Sequence, residues 1–302
     1  MIKVIFFYEH QWAFGSIFHA ACKELYKFGI HCSVLDWGVD YEVETMQQIN
    51  DTYDIFVSQQ AGVYRLTSHY GIPKDKIIVF SHCDNDLYVN TVDDRKNFNE
   101  YRAFAVINPK MIPIASELQY NVVPDVVRIA VHTDLYNSVL PIMLNTIGYA
   151  SSLYSSHFLG FDKKRGHLVE QICNLSNTVY KPTIIGKTIN LAIPGYMQSV
   201  DAVIMSSCHE MGGLPMLEAA AAGRLCIGTP TGYFKDHAAF GGGILMPMDE
   251  DEFVEESVRV ISYYKANPNK FVEKCAEIKQ YAKENYDWKY VIQDWVNLLT
   301  KL

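Results

Sequence analysis

Apolar and polar positions follow two rhythms along this chain, and the two alternate. IKVIFFY (2–8) is a compact apolar run, the pattern of a strand covered on both faces. A loop running to Gly15 follows it. SIFHAACKELYKF then carries apolar residues at helical spacing, and Gly29 closes that stretch. IHCSVLDW (30–37) reads as the next strand, so the chain opens with a strand–helix–strand unit, which demands parallel pairing. DIFVSQ (54–59), KIIVFSH (76–82), AFAVIN (103–108) and VVRIAV (126–131) continue the strand rhythm, with helical stretches near Tyr64–Tyr70 and Lys110–Leu118. The pattern restarts at NTIGYA (145–150), where a strand leads to a helix in KRGHLVEQICN. PTIIG (182–186), AVIMSS (202–207) and RLCIGT (224–229) are further strands, with the helix MLEAAAA between the last two. Three helical stretches end the chain, at about 251–265, 268–284 and 287–301.

Strands that alternate with helices imply doubly wound parallel sheets, and the restart implies two of them, joined near Ser138–Leu144. The fold class is α/β, with two Rossmann-like domains facing across a cleft. Ligands of such sheets sit outside the carboxyl ends of the strands, so the expected site is that cleft. A length of 302 residues suits one large domain or two of ordinary size, and 49% hydrophobic residues are ample for buried cores.

Charge and cysteine content narrow the functional classes. A net charge of −8 argues against non-specific nucleic-acid binding, which needs Lys and Arg against phosphates. The seven cysteines are odd in number, irregularly spaced and include no CxxC pair, as expected of thiols in a reducing cytoplasm. MIKVIFFYEH is too short an apolar run for a signal peptide, and no stretch reaches the roughly 18–20 apolar residues of a membrane span. The expected location is cytoplasmic, with peripheral membrane contact left open. HExxH, a Walker loop, G-x-S-x-G and G-x-G-x-x-G do not occur.

One stretch carries chemistry. HEMGGLPMLEAAAAG (209–223) lies beyond the carboxyl end of the strand AVIMSS. Pro215 suits the first turn of a helix, where its missing N–H costs nothing. Gly212 and Gly213 let the backbone be approached closely. Glycine amides at a helix start are suited to phosphate, and Glu210 and Glu218 stand on either side of them. Four alanines allow close packing on the sheet, and Gly223 suits the C′ position. Amides for a diphosphate with carboxylates for hydroxyls fit a nucleotide-sugar. A plain reading competes with it: Glu218 as a helix-terminal charge and Glu210 as a solvated loop residue.

The longer run SSCHEMGGLPMLEAAAAGRLCIGTPTGYFKD resembles the donor segment of glycosyltransferase family four, whose fold is GT-B. Glu210, Gly213, Leu214, Pro215, Leu217, Glu218, Ala219, Ala221, Gly223, Ile227, Thr229 and Gly232 match its pattern, and Asp236 stands where the family often has Glu. Met211 and Gly212 replace Gly-Phe, and Leu225 and Cys226 replace Pro-Val. IGYASS followed by KKRGHLVEQI resembles the opening of the family's second domain, with Ser151 and Ser152 where an Arg is common. AVHTDLY resembles the inter-domain G-V-D-T-x-x-F, and YDWKYVIQDWVNLL the closing helix. Gly15-Ser16 stands for the Gly-Gly that follows the first strand.

The resemblance implies a retaining transferase that moves a sugar from a nucleoside-diphosphate sugar, such as a UDP-sugar, to an acceptor hydroxyl of a saccharide, lipid or small molecule. It needs no cofactor and no metal. It implies an acceptor-side domain over 1–142, a nucleotide-sugar domain over 143–285 and a closing helix over 286–302. Donor contacts are expected from Gly15, Lys164, Arg165, Met211, Gly212, Gly213, Leu214, Pro215 and Glu218. The catalytic assignments are Glu210, facing the sugar, and His82, at the end of the strand KIIVFSH; the plain reading of the latter is a structural histidine. Asp84-Asn85-Asp86 raises a different reading, a GT-A-type enzyme holding its diphosphate through a metal on Asp84 and Asp86. Two rivals from different functional classes stand beside these: an isomerase or phosphorylase of the same fold, and an inactive protein that binds a sugar-nucleotide.

Overall fold

The computed structural model describes residues 1–8, 13–88, 95–151, 162–183 and 190–301. The chain divides into two compact units, Met1–Ile129 with Trp288–Leu302, and Ala130–Asp287.

The first unit holds a six-stranded sheet in the order β2-β1-β3-β4-β5-β6, parallel throughout. Its strands are β1 (Ile2–Phe7), β2 (Ile30–Leu35), β3 (Ile55–Ser58), β4 (Ile77–Ser81), β5 (Ala103–Val106) and β6 (Asp125–Val126). Every residue of β3 and β4 is buried, as their unbroken apolar runs require. The order reverses direction at β1, with β2 on one side and β3 on the other, and Phe6 registers with Val34 and Val57. That reversal creates a switch point between β1 and β3 at the carboxyl edge.

Helices α1 (Ala13–Tyr26), α2 (Val43–Thr52), α3 (Gln60–Tyr64), α4 (Asp84–Tyr88) and α5 (Met111–Glu117) connect the strands. Gly15 is the third residue of α1 rather than the end of a loop. The sequence pattern gives no hint of α2, because VETMQQINDT buries Met46 alone. β6 is shorter than 126–131: Val127 still donates to the Val106 carbonyl at 2.9 Å, but the chain then leaves the sheet.

The second unit holds a five-stranded parallel sheet in the order β11-β10-β9-β7-β8. The strands are β7 (Thr146–Tyr149), β8 (Val179–Pro182), β9 (Ala202–Met205), β10 (Leu225–Gly228) and β11 (Ile244–Leu245). Here the switch point lies between β7 and β9. The expected strand at 182–186 is found earlier, at β8, and positions 184–186 of that stretch lie outside the described residues. The longer helices are α6 (Gly166–Ser176), α7 (Ile193–Gln198), α8 (Leu214–Ala221), α9 (Glu250–Ala266) and α10 (Pro268–Asn285). Asp249 caps α9, its carboxylate accepting from the Asp251 and Glu252 amides at 3.1 Å.

The final helix, α11 (Trp288–Thr300), belongs to the first unit. Trp295 is fully buried there, with ring centroids 5.7 Å from Phe6 and 5.4 Å from Phe80, and its indole N–H donates to the Arg128 carbonyl at 2.9 Å. Truncating such a side chain costs about 3–5 kcal/mol. Arg128 adds a bond from Nε to Asp294 Oδ2 at 2.7 Å. Among the described residues no helix is long and apolar enough to cross a membrane.

Candidate active site

The carboxyl ends of β7 and β9 are tied together by the loops that follow them. The Cys208 amide donates to the Lys163 carbonyl at 2.9 Å. Ser206, fully buried, donates through Oγ to the carbonyls of Lys164 and Arg165 at 2.8 and 2.9 Å. Arg165 returns a bond from Nε to the Ser206 carbonyl at 2.7 Å. Near the end of the same loop Asp162 Oδ1 accepts from the Lys164 and Arg165 amides at 3.0 and 3.1 Å. Arg165 is thereby held in the left-handed region, φ 48°, as the residue that precedes α6.

This lacing decides where the two basic side chains go. Lys164 reaches out to Glu210, and Nζ and Oε1 form a close ion pair. Arg165 turns inward and is 4% exposed. Its Nη1 donates to the Met248 carbonyl at 2.8 Å, its guanidinium lies over the Phe253 ring, and the buried Nη2 has no partner. A charge-delocalised cation can be buried when its donors are largely satisfied.

The segment after β9 bends through Met211 and Gly212 into α8. Gly213 is the N-cap, with φ 88°, a conformation that favours glycine. Leu214 and Pro215 open the helix, so their position matches the sequence expectation for a proline in the first turn. A return loop supports the bend: the Gly232 amide donates to the Glu210 carbonyl at 2.9 Å and the Tyr233 amide to the Gly212 carbonyl at 3.1 Å. Ala219, Ala220 and Ala221 are buried against the sheet. Gly223, φ 69°, ends the helix in a Schellman arrangement, with its amide bonded to the Ala220 carbonyl and that of Arg224 to Ala219.

Glu218 is the fifth residue of α8, one turn in from its start. It is half-buried, and the Tyr136 hydroxyl donates to its Oε1 at 2.8 Å. Burial pushes the Glu218 carboxyl up to about 7, against the opposing pull of the Tyr136 hydrogen bond. Tyr136 is itself shifted well above the ordinary tyrosine value, by burial and by the Glu218 charge.

A second group of polar side chains gathers at the switch point of the first unit. Tyr8 follows β1, Gln59 follows β3 and His82 follows β4. The Tyr8 hydroxyl lies 2.5 Å from Gln59 Oε1 and 2.9 Å from His82 Nδ1. The same ring nitrogen is 3.0 Å from Asp86 Oδ2, which also accepts from the His82 amide at 2.9 Å. Burial by itself would lower the His82 pKa. The Asp86 carboxylate and the Cys83 sulfur outweigh it and raise it to about 10, so the ring is a cation at neutral pH. Trp37 stacks on Tyr8 at 5.3 Å between centroids.

Of the expected site residues, Lys164, Glu210, Met211, Gly212, Gly213, Leu214, Pro215 and Glu218 fall around the carboxyl ends of β7 and β9, with Arg165 beneath them. Gly15 and His82 belong to the first unit, Gly15 inside α1. Ser152 lies outside the described residues. Tyr136, Ser206 and Asp162 carry the geometry, and sequence reasoning does not single them out. The only signal in the sequence is the place of Tyr136 in AVHTDLY, at the position of the family's Phe.

The comparisons with known proteins bear on the fold. Residues 154–263 match the family model for glycosyl transferases group 1. HepE of Anabaena, solved with UDP and glucose, superposes over 100% of both chains with a TM-score of 0.72 at 13% identity. The catalytic domain of starch synthase IV from Arabidopsis thaliana, bound to ADP and acarbose, covers 99% of both chains at 0.70 and 11% identity. Sucrose-phosphate synthase from Thermosynechococcus elongatus covers 99% of this chain and 98% of its own at 0.66 and 10%. No curated protein matches the chain by sequence. The chain has the GT-B glycosyltransferase fold.

A GT-B fold corrects the reading built on Asp84 and Asp86. Asp84 Oδ1 accepts from the Asn85 amide at 3.0 Å, while Asp86 is engaged by His82. Among the described residues the one group able to hold a metal is His82, Cys83 and Asp86, and Asp84 is no part of it. The glycine-capped start of α8 lies in the second unit and the Asp-x-Asp pair in the first.

Proposed function

We propose that this GT-B protein transfers a sugar from a nucleoside-diphosphate sugar to an acceptor hydroxyl with retention of configuration. The observation that carries the reading is the Lys164–Glu210 pair set beside a glycine-capped helix start, with the Glu218 carboxylate one turn further on. The fold-mates support it, since HepE was solved with UDP-glucose and starch synthase IV with ADP.

In this reading the second unit takes the donor. Glu218 accepts hydrogen bonds from the ribose hydroxyls. The amides near Gly213 and Leu214 and the Lys164 ammonium take the diphosphate, and they stabilise the charge that grows as it leaves. Arg165 braces the loop from below, so the diphosphate charge falls to Lys164. Glu210 faces the transferred sugar; from the first unit His82 contributes at the reacting centre and Gly15 stays a donor contact. His82 is cationic at neutral pH, which suits an electrostatic contact and not a proton acceptor. Retention is proposed without a carboxylate nucleophile: the acceptor attacks from the face that the diphosphate leaves.

The ion pair makes the reading testable. An incoming diphosphate competes with Glu210 for Lys164. Glu210→Gln should therefore leave nucleoside-diphosphate affinity unchanged or tighter while transfer falls. Glu218→Gln should weaken the same affinity roughly ten- to a thousand-fold, the loss of two charge-assisted hydrogen bonds of about 1.5–3 kcal/mol each. Calorimetric titration of both variants with UDP, GDP and ADP measures this. If Glu218→Gln stays folded and binds like the parent, the donor assignment is wrong. Proton NMR of the new anomeric centre decides retention, and donor turnover without any acceptor would favour the isomerase or phosphorylase reading.

A further inference from the structure

Tyr136 is a side chain that the donor reading does not use, yet it holds the carboxylate on which that reading depends. It ends a short helical turn, Thr133–Tyr136, that packs against α8. The turn is fixed from outside: Asp287 Oδ2 accepts from the Thr133 amide and from the Thr133 hydroxyl. Ser138, just beyond, donates from Oγ to the Ala222 carbonyl at 2.8 Å, and Arg224 Nη2 donates back to Ser138 Oγ at 2.8 Å. Tyr136 is thus delivered to Glu218 by a segment anchored on both sides. It is 5% exposed, and its hydroxyl donates to Oε1 at 2.8 Å.

A carboxylate has two oxygens and about four acceptor positions. Tyr136 occupies part of this capacity on one oxygen and leaves the other to a diol. It also supplies what burial removes, a donor to the charged form. Other titratable groups stand on elements packed against α8, but their polar atoms are turned elsewhere. Tyr196 on α7 donates to the Lys181 carbonyl, and Lys279 on α10 donates to the Ser138 carbonyl. Cys226 on β10 points at the Met216 and Arg224 carbonyls, and Asp134 lies on the exposed side of the turn. Among the described residues Tyr136 is the one group whose hydrogen bond or charge reaches the Glu218 carboxyl.

We propose that Tyr136 is a positioning residue for donor binding: its hydroxyl orients the Glu218 carboxylate and favours its ionised form. This rests on the reading of Glu218 as the ribose contact. A phenylalanine at this place would pack equally well but would leave the carboxyl with burial alone. With burial pushing up and the tyrosine pulling down, the Glu218 carboxyl lies at about 7, and without the hydroxyl it lies higher. A protonated carboxyl has lost half of its acceptor strength for the ribose, so the affinity follows the ionised fraction.

The experiment is a titration of UDP-, GDP- and ADP-glucose, without acceptor, from pH 5.5 to 9, into the full chain, Tyr136→Phe and Glu218→Gln. A diphosphate flanked by ribose and sugar has no second phosphate ionisation near pH 6, so the protein's own group is read. The parent should bind with an affinity that climbs through about pH 7, up to tenfold per unit below it, and then levels. Tyr136→Phe should move that climb alkaline by about one unit. It should bind roughly fivefold more weakly at pH 7 and recover most of the loss at pH 9. Glu218→Gln should be weak and flat. A Tyr136→Phe profile that coincides with the parent's, while Glu218→Gln is weak, overturns the role of Tyr136 and leaves the donor assignment standing. Weakening by the same factor at every pH makes the tyrosine a packing residue only. Glu218→Gln binding like the parent overturns both.

Discussion

His82 and Asp86 show how two side chains can fix each other's charge. His82 is pulled down by burial and pushed further up by the carboxylate, while Asp86 is lowered by His82 although burial acts the other way. The signs give the pH window of this pair. The share of His82 in stability is complete below its unfolded value of about 6.5 and disappears as pH rises through about 10. The share of Asp86 is complete above its unfolded value near 3.8 and disappears as pH falls through its lowered one. Asp86→Asn removes the larger upward push, so burial is opposed by the Cys83 sulfur alone. In that variant His82 should titrate below 7 by NMR, and the protein should lose about 1.5–3 kcal/mol at pH 6. A ring that still titrates near 10 would mean that the cation is held by something other than Asp86. His82→Ala should lower turnover more than donor affinity, and equal turnover would make the histidine structural.

At the scale of elements, the donor segment depends on a glycine in the return loop. Gly232 has φ 53°, and a Cβ there would lie 2.6 Å from the Gly212 carbonyl oxygen and 3.3 Å from Glu210 Cβ. A backbone oxygen cannot swing aside as a side chain can, so the bend that carries Glu210 and Gly213 would have to shift. Gly232→Ala should cost about 1–3 kcal/mol by thermal unfolding and weaken donor binding at least tenfold. Gly195→Ala is the control: nothing lies within 4 Å of its Cβ, and it stands in α7, so stability should hold or rise by about 0.4–1 kcal/mol. Parent-like donor binding by Gly232→Ala would show that the loop absorbs the methyl group. The same elements mark what the sequence made legible. β3, β4, β9 and β10 were readable because burial on both faces leaves no polar interruption. α2 was not, because its exposed face fills nearly the whole helix, and neither was β8, an edge strand whose residues alternate with solvent. In the site, Glu210 and Glu218 stood out by residue type and place, and Lys164 only through the resemblance. That Arg165 turns inward, and that Tyr136 meets Glu218, are outcomes of tertiary packing that local pattern does not encode.

The molecule as a whole carries a switch point on each of two parallel sheets, and the chemistry is divided between them. Basic and phosphate-suited groups, Lys164 and the start of α8, belong to the second unit. The metal-capable group of His82, Cys83 and Asp86 belongs to the first. A metal there would need a neutral imidazole and an unpaired carboxylate, so it would have to displace a proton held up to about pH 10 and break the His82–Asp86 pair. In the proposed reading a diphosphate leaving from the second unit would have cationic and amide partners of its own and would not need the ion. Transfer activity should therefore be unchanged by EDTA, and it should fall when Lys164 is replaced: Lys164→Ala should lose about 10²–10³-fold in kcat, the scale of removing one preorganised donor from a developing anion. Nucleoside-diphosphate release, followed with and without chelator in the parent and in the variant, separates the two routes. Activity that vanishes in EDTA and returns with Mn²⁺ would transfer the diphosphate to a metal and leave Lys164 as the counter-ion of Glu210 alone.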